Sequence, residues 1–271
     1  MTLLPVLMRE LRSAMRGRRA MLALTAYLAI LLIVALSVYA IAVSSQPADP
    51  SQTGESVGQA LFVTLSILQA ALVIILAPAF TANAISQERE QKTFDMLAVT
   101  LVEPTSIVVG KLAASLAYLA MCLVASLPVM SLAFLFGGVE PSALVEVFAL
   151  QMLFALAFGA LGLFFSSFVR RTLWSTVFSY VVIFVVVAVF PIVDTAVNAL
   201  GSPDEFQPLL TYLNPFPLIL SATTPEFADA MREQAFVPFT TVTPIVYAIV
   251  AVGLLVAAVH FVGPRKVKKR L

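Results

Sequence analysis

The stretch NAISQEREQKTFDMLAVT, residues 83–100, is a polar island between two long apolar runs. Five charges of both signs crowd into it: Glu88, Arg89, Glu90, Lys92 and Asp95. Glu88 and Lys92 stand four apart with the acid first, the favourable order on a helix. Ile85, Phe94, Met96 and Leu97 supply apolar contacts, so the stretch predicts a short amphipathic helix. Two readings are open. Such a helix can seat its apolar side on another protein, or it can be a solvated connector that touches nothing. The runs on either side decide the fold, because each reaches the roughly 20 residues that cross a bilayer as a helix.

Working outward, composition gives the same answer. The chain of 271 residues is 61% hydrophobic and 11% charged, with mean hydropathy +1.00. A soluble domain of this size needs far more charge to cover its surface. The expected fold is an all-α integral membrane domain over residues 1–271, with six spans at about 20–43, 57–80, 107–136, 144–169, 172–193 and 242–262. The first run is too long for a signal segment and lacks a small-residue cleavage site, so it is expected to remain as a span. Pro104 ends any preceding helix and Thr105 or Ser106 caps the next, while Pro128 predicts a kink. Gly137-Gly138 reads as a tight turn. Cys122 is the single cysteine and forms no intrachain disulfide.

Three polar segments complete the plan. In residues 1–19, Leu4, Leu7, Leu11 and Ala14 share one helical face and Arg9, Arg12, Arg16 and Arg19 another. That pattern suits an interfacial helix with its arginines among lipid headgroups. Its direct join to a span argues against a nucleic-acid-binding arm. Residues 83–104 form the sizeable loop at the same side. Residues 194–241 form a long connection on the opposite side, with Asp204, Glu205, Glu226, Asp229 and Glu233 against Arg232. Within it, Thr224-Pro225-Glu226 predicts a helix start, and the prolines over 213–217 predict a turn beside a short apolar segment.

The bases fix an orientation. With the N-terminus in the cytoplasm, Arg9, Arg12, Arg16, Arg18, Arg19, Arg89, Lys92, Lys111, Arg170, Arg171 and the five bases of the tail all lie inside, and Arg232 alone lies outside. Both termini and the 83–104 loop are then cytoplasmic.

Several chemistries have no support. Gly110-Lys111 is followed by leucine and lacks a glycine five residues before it, so there is no phosphate-binding loop. His260 has no second metal ligand beside it and reads as a packing residue at the end of span six. No catalytic Ser, His and Asp arrangement falls at one membrane depth, which argues against a membrane protease or lipid transferase. No span carries a central charge, which argues against an ion-coupled carrier or channel. Gln69, with Thr64 and Ser66, is the main buried polar cluster, serving either the transport pathway or hydrogen bonding between helices. Ala155, Gly159 and Gly162 form a small-residue surface for close helix packing.

The order of parts resembles the membrane subunits of ABC-2-type ATP-binding-cassette transporters, the type V exporter-like class. The resemblance rests on Glu88-Arg89-Glu90, Thr93-Phe94-Asp95-Met96-Leu97, Pro104 and Gly110-Lys111 entering span three, after a basic amphipathic N-terminal helix and two spans. Members often carry Thr-Pro after the leucine run, where this chain has Thr100-Leu101-Val102-Glu103-Pro104. The topology covers the chain and the motif covers 84–112.

The resemblance implies a coupling helix that seats on a separate ATPase subunit, with Glu88, Arg89, Glu90, Thr93, Phe94, Asp95 and Leu97 as contacts. It implies an interfacial helix at the N-terminus, and short segments after span five that dip into the outer leaflet. It further implies a pair of membrane subunits, identical or different, with ATP and Mg held by the ATPase subunits and no cofactor on this chain. The expected role is export across a prokaryotic inner membrane. A subunit serving metal-centre maturation or signalling would keep the same fold.

Overall fold

The computed structural model describes residues 18–44, 50–91, 104–169, 171–200, 211–234 and 239–262. The interfacial helix expected over 1–19 lies almost wholly outside them, as does the basic tail. We number the helices α1 Arg18–Ser44, α2 Pro50–Thr81, α3 Ser86–Glu90, α4 Pro104–Phe136, α5 Pro141–Phe168, α6 Thr172–Phe184, α7 Phe190–Leu200, α8 Pro215–Thr223, α9 Pro225–Gln234 and α10 Phe239–Val262. No strand occurs among the described residues. Six helices are long and apolar enough to cross a membrane: α1, α2, α4, α5, the continuous α6–α7 unit and α10.

Local chemistry explains the helices. In lipid each backbone N–H and C=O must be paired within its own segment, which only a helix provides. Hydroxyls are folded into the same scheme: Thr25, Ser37 and Thr81 each donate to the carbonyl four residues before. Proline opens α2, α4, α5, α8 and α9, where its missing N–H costs nothing. Pro128 sits inside α4, which continues through it as one helix.

Span five runs further than the sequence indicates, from Thr172 through a π-helical segment, Val185–Val189, to Leu200. The cause is Pro191, which cannot donate and whose ring would crowd the carbonyl of Val187. The chain widens one turn instead, and the Phe190 N–H reaches back five residues to the Val185 carbonyl.

The bundle is layered around α2 and α5, whose most apolar windows are 50% and 61% buried, against 17% for α1 and 11% for span five. Hydrophobic exclusion does not drive this contact in lipid, so close van der Waals packing must. Small residues supply it. A Cβ on Gly159 would stand 3.1 Å from the Leu112 side chain, and one on Gly162 would stand 3.0 Å from the Pro78 backbone. At the other end of the bundle, Gly137 and Gly138 turn between α4 and α5 with φ of +87° and +76°, which side-chain-bearing residues rarely adopt. There the backbones of α2 and α4 touch: a Cβ on Gly58 would meet the Ala133 carbonyl at 2.8 Å, and one on Gly138 the Glu55 carbonyl at 2.7 Å. Exposed Leu, Ile, Val and Phe cover the outside of α1, α6 and α10, as a lipid-bathed surface requires.

After span five the chain forms α8 and α9 at the Gly137 end. Asn214 caps α8 by accepting from the Phe216 N–H at 3.0 Å. The start expected at Thr224-Pro225-Glu226 is α9, with Glu226 in its first turn.

Candidate functional site

The described part of the 83–100 stretch is a one-turn helix, α3, folded back against the ends of four spans. Ile85, at its N-cap position, has no side chain that could cap it. Instead it is fully buried beside Val108, Leu112, Leu163, Ala258 and Val262. The cap comes from α5: Ser166 Oγ accepts from the N–H groups of Ile85 at 2.9 Å and Ser86 at 3.0 Å. The preceding turn is held by span five, where Ser175 donates to the Ala82 carbonyl at 2.8 Å and Thr176 to Asn83 Oδ1 at 2.9 Å.

Each charge of α3 meets a group of matching polarity. Glu88 accepts from Lys111, in the second turn of α4, at 2.8 Å, with the Lys and Glu side chains only 11% and 23% exposed. Arg89 Nη1 donates to the Ser167 carbonyl at the end of α5 at 2.6 Å, and Nη2 to the Phe261 carbonyl at the end of α10 at 3.3 Å. The last carbonyls of a helix carry partial negative charge and lack helical partners, so a guanidinium suits them. Glu90 takes the opposite role. Its carboxylate accepts from the Thr172 hydroxyl at 2.6 Å and the Thr172 N–H at 3.1 Å, at the positive N-terminus of α6. Those two donors, the hydroxyl first, hold its pKa below the ordinary value. One turn of helix thus binds the start of span three, the end of span four, the start of span five and the end of span six.

This placement alters the sequence reading. Ile85 faces the chain's own interior and not a partner. Glu88, Arg89 and Glu90 are engaged with this chain, so the described part of the stretch is not a connector that touches nothing. Thr93, Phe94, Asp95 and Leu97 lie outside the described residues, as do Arg9, Arg12 and Arg16; Arg19 stands in the first turn of α1. Ser166, Ser167 and Thr172 were not singled out in the sequence. The available signal was polar residues clustered at the ends of spans four and five.

Gln69 is fully buried, and its Nε2 donates to Ser126 Oγ at 2.7 Å, joining α2 to α4. Gln151, equally buried on α5, donates from Nε2 to the Ser66 carbonyl at 3.2 Å. At the Gly137 end a cleft of about 470 Å³ opens between α2, α5, α8 and α9, lined among others by Gln59, Phe62, Glu146, Thr223, Glu226 and Asp229. Its acids do not converge: among the described residues no three His, Cys, Asp or Glu side chains come together as a metal site would need.

Comparison with known proteins adds one match. A family model described as "ABC-2 family transporter protein" covers residues 4–262. No curated protein matches the chain.

Proposed function

The chain belongs to the ABC-2 family of transporter proteins, and on that premise we propose that it is the permease of an ATP-driven exporter. Membership makes it an integral membrane transport component. The finer reading is ours. Two such subunits, alike or different, form the substrate path between them. Separate ATPase subunits hold ATP and Mg and supply the power stroke. The base asymmetry supports both termini and α3 on the cytoplasmic side, and we assign the chain to a prokaryotic inner membrane.

The observation that carries this reading is the set of bonds around α3. A motor subunit pushing on residues 92–100 displaces α3, and α3 is fastened to spans three, four, five and six by Glu88, Arg89, Glu90 and the Ser166 cap. A push at one loop therefore arrives at four helix ends together. Packing within one subunit also favours a path between subunits, since α2 and α5 fill the centre of the bundle.

Phe94 and Leu97 are the expected anchors on the ATPase, because buried aromatic and aliphatic groups dominate such contacts. Phe94→Ala should weaken ATPase binding by about 2–4 kcal/mol while leaving membrane insertion intact. The check is co-purification of the ATPase with the variant. A stable complex with full transport-coupled ATP hydrolysis would remove residues 92–100 as the motor contact.

A further inference from the structure

The centre of the bundle contains polar groups that the transport reading does not use. Tyr27 on α1, Ser66 and Gln69 on α2, Ser126 on α4, Gln151 on α5 and Thr243 on α10 are each at most 2% exposed. Elsewhere in the spans, hydroxyls return to a carbonyl of the preceding turn, as in Thr25, Ser37, Thr81, Ser115 and Ser179. Ser66 and Thr243 make no such bond, and their hydroxyls have no protein partner.

The two glutamines are equally incomplete, and their orientation is settled by their neighbours. Ser126 spends its proton on the Leu123 carbonyl at 2.6 Å, so it can only accept from Gln69 Nε2. The Ser66 carbonyl likewise requires a donor, which is Gln151 Nε2. Both amide oxygens, Gln69 Oε1 and Gln151 Oε1, are left buried without a donor. Gln69, Ser66 and Gln151 form one seam. Ser66 is one turn from Gln69 on α2, and Gln151 reaches the Ser66 backbone.

The seam therefore holds two oxygens that only accept, Gln69 Oε1 and Gln151 Oε1, and the Ser66 hydroxyl without an acceptor, in a setting where an unmade hydrogen bond is costly. The complement is a small molecule with two donors and two acceptors, and interior water meets two to four polar partners in this way. We propose that the seam is an internal water-binding site. Bound water donates to Gln69 Oε1 and Gln151 Oε1 and accepts from the Ser66 hydroxyl, linking α2 and α5. The inference is independent of transport direction, partner and stoichiometry.

The test uses the full chain in lipid nanodiscs. Infrared spectra in ordinary and oxygen-18 water should differ in an O–H stretching band that Ser66→Ala and Gln151→Met both abolish. Ser66→Ala, which removes one hydroxyl, should raise the unfolding equilibrium constant roughly tenfold. Combined with Gln151→Met it should raise it by less than the product of the two single effects, because both side chains share one solvent molecule. Should Gln151→Met fail to fold, Ser66→Ala carries the spectroscopic test alone. A wild-type chain without an oxygen-18-sensitive band, or a band that the substitutions leave unchanged, overturns the proposal. So does a Ser66→Ala variant of equal or higher stability, since it means that the seam is dry.

Discussion

Replacing Arg89 by methionine keeps most of the side chain's length and removes every donor. Two bonds are lost. The one to the Ser167 carbonyl is short, 2.6 Å, and partly buried; a hydrogen bond to a charged group in such a setting is worth about 1.5–3 kcal/mol. The one to Phe261 is 3.3 Å and exposed, so water replaces it at little cost. Loss of a cation at a helix C-terminus adds about 0.3–1 kcal/mol at a surface site. Together the substitution should destabilise the chain by about 2–4 kcal/mol, read as thermal unfolding in nanodiscs. The functional consequence is more specific. If α3 transmits motion to the ends of α5 and α10, Arg89→Met should still bind the ATPase but transport less substrate for each ATP hydrolysed. If Arg89 were instead a rim contact on the ATPase, binding would weaken and the coupling ratio of the remaining complexes would hold. Wild-type unfolding together with a wild-type coupling ratio would refute the transmission argument outright.

Three further outcomes are expected. Gly58→Ala forces a methyl against the carbonyls of Ala133 and Gly137, which are backbone and cannot swing aside, so it should cost about 1–3 kcal/mol or more. Gly253→Ala on α10 meets nothing within 4 Å and should be neutral or stabilising by up to about 1 kcal/mol; equal thermal unfolding of the two variants would contradict the packing described. The Glu90 carboxyl is held below its ordinary value of 4.5 by Thr172. Its contribution is therefore complete above that ordinary value and is lost as pH falls through the lowered one, so Glu90→Gln should flatten the acid limb of a stability–pH curve, and an unchanged limb would argue against the cap. For orientation, a cysteine placed at Ser202 should label from outside the cell and one at Lys268 should not; the reverse pattern would invert the topology.

Much of the architecture was legible because its signals are local. Runs of apolar residues gave the six spans, the paired glycines at 137–138 gave the turn, and Thr224-Pro225-Glu226 gave a helix start. The site was legible only in part. Glu88, Arg89 and Glu90 stand out as charges, but their partners Lys111, Ser167 and Thr172 lie 23, 78 and 82 residues away, beyond the reach of any helical period. A serine that caps another helix looks in sequence like any serine at a membrane boundary. Gln69 stood out for its polarity, whereas its link to Ser126 depends on how α2 and α4 face each other. The π segment escaped notice because Val185–Val189 is an unbroken aliphatic run, and the cause, Pro191, reads from sequence as the end of a span.

That widened turn also resets the angular phase of span five. An ordinary helix advances about 100° per residue, and a turn closed over five residues falls behind that advance. Trp174, Phe178 and Val181 lie along one exposed stripe, and Ile192 and Val193 are exposed beyond the widened turn. The π segment rotates that second group relative to the first. A cysteine accessibility scan along this span should show its rhythm slip between Phe184 and Phe190. The two halves of span five therefore face their surroundings in different helical phases.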